Sequence, residues 1–287
     1  MTGLFAPELV PLEFIRSYAP LGIRFRDAAD GAVVNHGLRV RARRTGTVEP
    51  VAVATVTRSG VHAFTSLPGL RGLEHAPDPV GGVASPPATL SYVVDVADAT
   101  GRFVPVAFHV DAPHAGIFPP AAAGPPPATE PGFFLFPATN HAAGAALGVL
   151  RAELAVHGSG KPAANALVEL TLPGGRREYG LADAMGLVAV FFAHPRFAQT
   201  VLSPPPSSTA ARERTSWPAT VRVRFDANTQ LLIPPDLPPD LASLFGQPPA
   251  RIWASAGGPP HTELGVTLVL GQDAVLRTDD EPRLLVA

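Results

Sequence analysis

Short runs in which apolar and polar residues alternate recur along almost the whole chain, whereas runs with helical spacing are nearly absent. Leu38-Arg-Val-Arg-Ala42 and Val221-Arg-Val-Arg-Phe225 are clear examples. Alternation with a period of two is typical of half-buried β-strands. The 34 prolines and 27 glycines separate these runs at intervals of a few residues, as turn residues do. The pattern therefore predicts an all-β chain built from short strands.

A similar order of glycines and strands occurs in both halves of the chain. Gly31 precedes Gly60 by 29 residues, and Gly160 precedes Gly186 by 26 residues. Each interval begins before an alternating strand and ends in a turn. Repetition of this kind is typical of tandem structural units.

The length of 287 residues is enough for two domains that each bury a core. Together with the repeat, it predicts two tandem Ig-like or transthyretin-like β-sandwiches. We expect an N-terminal sandwich over residues 1–113, a Pro/Ala/Gly-rich linker over 114–146, and a C-terminal sandwich over 147–287.

Two short motifs predict tight turns at equivalent places in the repeat. In Asp183-Ala-Met-Gly186 the carboxylate can accept backbone hydrogen bonds and the glycine can adopt a positive φ. Thr57-Arg-Ser-Gly60 is the equivalent motif in the first half, with a threonine in place of the aspartate. The alternative, an acidic metal-binding loop, would need several converging carboxylates, and each motif offers one or none.

Several large apolar residues lie in Pro-rich segments between the predicted strands. We expect the linker to pack on a domain face or on a neighbouring subunit, because it is too apolar to remain free in water. Residues 233–249 contain one plausible helical turn, Asp240–Gly246, and residues 203–214 are expected to form a mobile Pro/Ser-rich loop. The interface candidates are Phe133, Phe134, Phe136, Leu244, Phe245 and Trp253. For Trp217 and Trp253, burial in a sandwich core is the more common outcome.

Composition excludes several classes of function. The net charge is −2 and no long basic run occurs, so nucleic-acid binding has no electrostatic basis. The chain has no cysteine, which excludes disulfides, thiolate metal sites and cysteine nucleophiles. No signal peptide is visible at the N-terminus, and the uncharged stretches are broken by Pro, Asn and Gly, so we expect no membrane span. We expect synthesis in the cytoplasm.

One segment has a spacing that could suit a metal ion. In His109-Val-Asp-Ala-Pro-His114, an extended backbone would place His109 and Asp111 on one face, with His114 able to curl back towards them. Two imidazoles and a carboxylate can bind zinc or iron(II). The alternative is a strand that simply leaves the first sandwich. Because no further ligand cluster supports the site, we predict no metal, no other cofactor and no catalysis.

The second copy of the repeat resembles the carboxypeptidase-regulatory or transthyretin-like β-sandwich. The likeness covers residues 150–192 and rests on Lys161-Pro-Ala-Ala-Asn-Ala-Leu-Val168 and Leu181-Ala-Asp-Ala-Met-Gly-Leu-Val188. It implies an accessory or assembly module and no catalytic activity.

A second resemblance spans most of residues 20–280. Its motifs are Ser66-Leu-Pro-Gly-Leu-Arg71, Asp95-Val-Ala-Asp-Ala-Thr-Gly-Arg-Phe-Val-Pro-Val106 and Gly180-Leu-Ala-Asp-Ala-Met-Gly186. Together they are similar to a little-characterised bacterial family that accompanies phage-tail-like contractile injection systems. This resemblance implies a structural subunit that is incorporated into a particle, either released from the cell or docked at its envelope.

The sequence thus leads to three hypotheses about function. The first is a non-catalytic structural subunit whose partners are other proteins of a multi-component particle, with a homo-oligomer left open. The second is a secreted or surface β-sandwich module that binds carbohydrate or protein. The third is a metal-dependent enzyme centred on His109, Asp111 and His114.

Overall fold

The computed structural model describes residues 18–48, 50–73, 88–118, 132–142, 144, 146–194, 216–233 and 237–287. Within them the chain is almost entirely β-structure, as the alternating pattern predicts. The helical elements are a 3-10 turn at Arg71–Leu73 and one short α-helix, α1 (Leu241–Phe245). No described helix is long and apolar enough to cross a lipid bilayer. The predicted loop 203–214 lies outside the described residues.

Eight strands form the first half of the fold. They are β1 (Leu21–Asp27), β2 (Leu38–Arg44), β3 (Ala52–Val53), β4 (Thr55–Val56), β5 (Val61–Phe64), β6 (Leu90–Asp98), β7 (Val106–Ala112) and β8 (Phe133–Leu135). Sheet A has the order β4-β5-β1-β8 and sheet B the order β3-β2-β6-β7. Alternate residues of these strands, including Ile23, Phe25, Val40, Val94 and Val106, enclose one hydrophobic core between the two sheets. This pair of sheets is called the first sandwich below.

Ten strands form the second half of the fold. They are β9 (Leu147–Val156), β10 (Leu167–Thr171), β11 (Arg177–Leu181), β12 (Leu187–Ala193), β13 (Ser216–Arg224), β14 (Ile252–Trp253), β15 (Pro260–His261), β16 (Leu264–Val269), β17 (Ala274–Leu276) and β18 (Leu284–Val286). Sheet C has the order β11-β10-β13-β16, and sheet D the order β12-β9-β18-β14-β15, with β17 also paired to β9. Leu150, Leu154, Val168, Val190 and Val221 lie in the core between them. This pair of sheets is the second sandwich.

The predicted repeat is visible in the hydrogen bonds that begin each copy. After β1, the N–H groups of Asp27 and Gly31 donate to Ala32 O and Asp27 O at 2.9 and 2.8 Å. In the second copy, Val156 and Gly160 donate to Lys161 O and Val156 O at 2.8 and 2.9 Å. Gly31 and Gly160 both have positive φ angles, 78° and 65°. The two copies therefore make the same turn at the same place.

The two predicted tight turns are also confirmed, and they match bond for bond. Gly186 N–H donates to Asp183 O at 3.0 Å, and Leu187 N–H donates to the Asp183 carboxylate at 2.9 Å. In the first copy, Gly60 N–H donates to Thr57 O at 3.0 Å, and Val61 N–H donates to the Thr57 hydroxyl at 3.1 Å. The threonine hydroxyl thus accepts the bond that the aspartate accepts in the second copy.

The repeat extends beyond the residues that match in sequence. β8 pairs in parallel with β1, as β18 pairs in parallel with β9. Ile117 forms a parallel bridge to Gly22, and β17 pairs in parallel with β9 at the equivalent position. The segment predicted to be a linker therefore contains the strand that completes sheet A. Its apolar side chains bury more surface in that sheet than they could on a free linker.

The two sandwiches are in contact near α1. The core of the first sandwich continues into Leu167 and Leu181 of sheet C and into Leu241 and Leu244 of α1. The division into an N-terminal sandwich over 1–113, a linker over 114–146 and a C-terminal sandwich over 147–287 stays a prediction.

Candidate interaction surfaces

The helix α1 lies between the two sandwiches and is fixed by Asp240. The Asp240 carboxylate accepts a hydrogen bond from Ser243 N–H at 3.3 Å, which caps the first turn. The same carboxylate accepts a bond from His109 N–H on β7 at 3.2 Å, and the His109 ring nitrogen Nδ1 lies 2.9 Å from it. The Asp240 side chain, in the second half, thus accepts hydrogen bonds from the first turn of α1 and from the backbone of β7 in the first half.

Aromatic contacts continue this junction. The Phe245 ring lies 6.0 Å from that of Phe136 in the first sandwich and 6.3 Å from that of Tyr179 on β11. Ile233 and Leu237, which precede the helix, pack on Val93 and Ala107 of sheet B. Over its described residues, the Pro-rich segment 233–249, which carries the interface candidates Leu244 and Phe245, is therefore packed against the chain's own first sandwich.

The side-chain amide of Gln247 links the end of α1 to neighbouring loops of the second sandwich. Gln247 is fully buried and makes four hydrogen bonds. Its Nε2 donates to Asn165 O and Leu244 O, each at 3.0 Å, and its Oε1 accepts from Asp226 N–H at 3.0 Å and from Gln230 Nε2 at 3.2 Å. Because every polar atom of the buried amide has a partner, its burial carries little desolvation penalty.

A second contact between the sandwiches centres on His141. Its Nε2 lies 3.1 Å from the Asp27 carboxylate, and its ring lies between those of Phe103 and Phe191, at 5.4 and 5.2 Å. Phe191 belongs to β12 of the second sandwich, whereas Asp27 and Phe103 belong to the first. Burial raises the pKa of Asp27 above its usual value, although the bond from Ala29 N–H and the nearby His141 oppose the rise. The guanidinium of Arg151 also donates to Thr139 O across this boundary.

Three of the six sequence-predicted interface residues are buried inside the chain. Phe133, Phe136 and Leu244 are 4%, 1% and 1% exposed, so they are not accessible to another subunit. Phe134 and Phe245 are half-buried. The contacts that the structure shows for Phe133, Phe136, Leu244 and Phe245 are with side chains of the same chain, and a role in contact with another subunit stays a prediction.

Trp253 lies at the surface, half-buried on the two-residue strand β14. The ring of His157 stacks on it at 4.1 Å and an interplanar angle of 2°. Trp217, by contrast, is buried at 6% exposure. The preference for core burial therefore holds for Trp217, and Trp253 stays an interface candidate.

The predicted metal candidates do not form a joint site. His109 and Asp111 do share the outer face of β7, but His109 is bonded to Asp240, and Asp111 accepts a hydrogen bond from Ser91 at 2.5 Å. His114 packs edge-on against Phe118, with ring centres 5.4 Å apart. Among the described residues, no group of three or more His, Asp and Glu side chains could hold a metal ion.

The outer face of sheet C has three zones. Leu167 and Leu181 lie beneath α1. Next come two ion pairs, Arg177–Glu169 at 3.3 Å and Arg222–Glu263 at 2.9 Å. The third zone is uncharged and carries an open groove of about 530 Å³, lined by Thr171, Leu172, Pro173, Pro218, Ala219, Thr220, Gly265, Val266 and Thr267.

The motifs that carry the sequence resemblances form structural contacts. The Tyr92 hydroxyl donates to Pro68 O at 2.6 Å, which holds the Ser66–Arg71 loop against β6. Asp98 accepts bonds from Arg102 N–H at 2.7 Å, from Arg102 Nε at 3.0 Å and from the Thr100 hydroxyl at 2.8 Å. Burial opposes ionisation, but these bonds outweigh it and lower the pKa of Asp98 to about 2.

Sequence reasoning missed His141 and Gln247, and it missed the role of Asp240. Asp240 could have been found, because an aspartate before a short apolar run is a helix-capping signal. No local signal marks His141 or Gln247, since their partners lie far away along the chain.

Comparison with known proteins yields no family. No protein-family model matches the chain, and no curated protein matches it. Among solved structures, the TIE protein of Bacillus anthracis aligns over 93% of this chain with 8% identity and a TM-score of 0.23. This chain spans only 34% of that protein.

Two candidate adhesins from Bacteroides ovatus also align with this chain. One has 9% identity and a TM-score of 0.23, with 94% of this chain and 93% of the other covered. The second has 10% identity and a TM-score of 0.21, with 74% and 73% covered. At these scores the alignments identify neither a fold family nor a function.

Proposed function

We propose that this protein is a non-catalytic structural subunit that acts as a rigid spacer in a larger bacterial assembly. The observation that carries the proposal is the junction between the sandwiches, where α1, Phe136, Tyr179 and Phe245 pack together and Asp240 bonds to β7. A buried junction with satisfied polar groups resists bending, whereas domains on a free linker reorient. A subunit that must hold two partners at a fixed separation needs this property.

The finer part of the proposal is a place in a phage-tail-like contractile injection particle. Support for it comes from the sequence motifs alone, whose residues stabilise loops and turns in this fold. Under this proposal the protein is made in the cytoplasm, carries no cofactor, and binds other protein subunits rather than nucleic acid.

The direct test is to purify sheath-containing particles from the source organism and to search for this chain by mass spectrometry and immunogold labelling. We expect the chain in intact particles, and incomplete or unstable particles in a deletion strain. Its absence from the particles, together with normal particles in the deletion strain, would reject the contractile-particle role.

Rigidity can be tested on the purified protein. Small-angle X-ray scattering should fit one arrangement of the two sandwiches, and Phe245→Ala should broaden the distribution of interatomic distances. Val275→Ala, at a side chain that is 67% exposed, is a matched control. Scattering of the native protein that requires many domain orientations would contradict the spacer role.

A second candidate function is a surface or secreted module that binds carbohydrate or protein. It is favoured by the uncharged groove on sheet C, whose lining includes Thr171, Thr220 and Thr267. Binding sites on sandwiches use such exposed faces with a few polar groups. Protease treatment of intact cells tests this candidate, because a chain that stays intact would reject a location on the cell surface.

A further inference from the structure

One long strand edge has no neighbour in the described part of the chain. Sheet C ends at β16, which pairs with β13 on one side only. The edge of β7, which ends sheet B, is bridged at Ala107 by Asp240. The sheet ends β3, β4, β8 and β15 are two or three residues long, and the longer ends β11 and β12 lie against each other. β16 has six residues, so it offers an extended row of backbone donors and acceptors.

β16 also lacks the residues that usually protect such an edge. Its sequence, Leu264-Gly-Val-Thr-Leu-Val269, contains no charged residue and no proline. Exposed edges are normally blocked by lysine, proline or a bulge, because an unprotected edge pairs with another strand. The equivalent edge in the first sandwich, β7, is covered at Ala107 and His109 by Asp240. This edge of the repeated unit can therefore bind an additional backbone segment.

The shape of β16 is complementary to itself. Gly265, Thr267 and Val269 point to the outer face of sheet C, where they pair across the sheet with Thr220, Pro218 and Ser216. A Cβ atom added at Gly265 would meet nothing within 4 Å, so this position leaves a notch beside the groove. Two antiparallel copies of β16 centred on Thr267 would place each Val269 opposite the Gly265 notch of the other copy.

Charge does not oppose this arrangement. In the register centred on Thr267, Glu263 lies opposite Gly271 of the second copy, so no like charges face each other. Glu263 is already paired with Arg222 at 2.9 Å.

We propose that β16 is a homodimer interface. Two copies of this chain join through antiparallel β16 strands about a two-fold axis at Thr267. Their two four-stranded C sheets then form one continuous sheet of eight strands. An antiparallel strand paired with itself is an isologous contact, the commonest kind of symmetric interface. The inference requires only the fold and does not depend on the role as a spacer.

The first test uses the absence of cysteine in the native chain. Thr267→Cys would place two thiols opposite each other on the axis, with Cα atoms about 5 Å apart, within the range for a disulfide. Under mild oxidation we expect a disulfide-linked dimer on a non-reducing gel. Val275→Cys, at an exposed position on β17, should cross-link far more slowly.

The second test measures association without a cross-link. Sedimentation equilibrium should show a dimer of the native protein, and Thr267→Lys should raise the dissociation constant at least tenfold, because it places two like charges opposite each other. Circular dichroism and thermal unfolding confirm that the variant is folded. A native protein that is monomeric at its highest soluble concentration would overturn the proposal, as would equal cross-linking of both cysteine variants. Either result would leave the spacer role untouched.

Discussion

The carboxylate of Asp240 lies 2.9 Å from Nδ1 of His109, a residue 131 positions earlier in the chain. Asp240 is 5% exposed and also caps α1 through Ser243 N–H. Oδ1 of Asp240, which faces His109 Nδ1, also accepts the backbone N–H of His109, whereas Oδ2 caps the helix. One side chain of the Pro-rich segment therefore joins the start of α1 to a strand of the first sandwich.

Replacing Asp240 should weaken the fold measurably. Asp240→Ala removes a helix cap and leaves His109 N–H without its acceptor, so we expect a loss of about 2–3 kcal/mol in the free energy of unfolding. Urea denaturation monitored by tryptophan fluorescence measures this loss. Glu281→Ala, at an exposed carboxylate, is the control and should change stability by less than about 0.5 kcal/mol. Equal stability of both variants would show that the junction does not depend on Asp240.

The buried amide of Gln247 should be equally sensitive. Gln247→Met keeps a similar volume but removes four hydrogen bonds, and it takes away the partner described above for Asn165 O and for Asp226 N–H. Gln230 Nε2 keeps its bond to Ala164 O, and Leu244 O keeps its bond from Gln247 N–H. Each unsatisfied buried group costs about 1–3 kcal/mol, partly relieved by local rearrangement, so we expect a total loss of about 3 kcal/mol. The matched variant Gln272→Met, at an exposed loop position, should be nearly neutral. Chemical denaturation compares the two, and a loss below about 1 kcal/mol for Gln247→Met would show that the network is dispensable.

The equivalent turn glycines should differ in their tolerance of a side chain. A Cβ at Gly186 would lie 2.4 Å from the backbone oxygen of Leu154, whereas at Gly60 the nearest atom is a methyl carbon of Val33 at 2.8 Å. A backbone oxygen in a paired strand cannot move easily, but a side-chain methyl can. We therefore expect Gly186→Ala to lower stability by about 3 kcal/mol and Gly60→Ala by about 1–2 kcal/mol.

Gly174→Ala separates backbone strain from the clash. Gly174 has a φ of 86° and open space around its Cα, so this variant should show the strain alone, about 1 kcal/mol. Thermal unfolding of the three variants gives the order. Gly174→Ala as harmful as Gly186→Ala would mean that the Leu154 contact has no effect.

His62 should make the fold sensitive to acid. It is 1% exposed, and burial lowers its pKa from 6.5, with the nearby Val34 carbonyl opposing the change. The folded state therefore favours the neutral ring. The stability from this group is fully present above pH 6.5 and declines as the pH falls below that value, because the unfolded chain takes up the proton first.

The second copy of the repeat supplies the matched substitution. His62 pairs with Ile23 in the first copy, and Val188 pairs with Ala152 at the equivalent position of the second copy. His62→Val therefore gives the first copy the residue that the second copy has at this position. Urea unfolding at pH 7.5 and pH 5 should show a smaller acid-induced loss in His62→Val than in the native protein. His261→Val, at an exposed ring, should keep the native pH dependence. An unchanged pH dependence in His62→Val would exclude His62 as the acid-sensitive group.

Local chemistry in the sequence determined the strands, the tight turns and the start of α1. Alternation places Ile23 and Phe25 in the core because successive residues of a strand point to opposite faces. The turns at Thr57–Gly60 and Asp183–Gly186 follow from side chains that bond to backbone atoms a few residues away. These contacts need no knowledge of the remaining chain.

The tertiary structure alone decided which apolar segments meet and which surface stays open. Phe133 and Phe136 could equally have packed on another subunit, and only the parallel pairing of β8 with β1 places them in the first sandwich. The bond between Asp240 and His109 and the amide network of Gln247 also depend on segments far apart in sequence, as does the edge of β16, which no described strand pairs. Alternation predicts that a residue is buried, but it does not predict which residues it packs against. The hydrophobic effect has no direction, so the packing partner depends on how the whole chain folds.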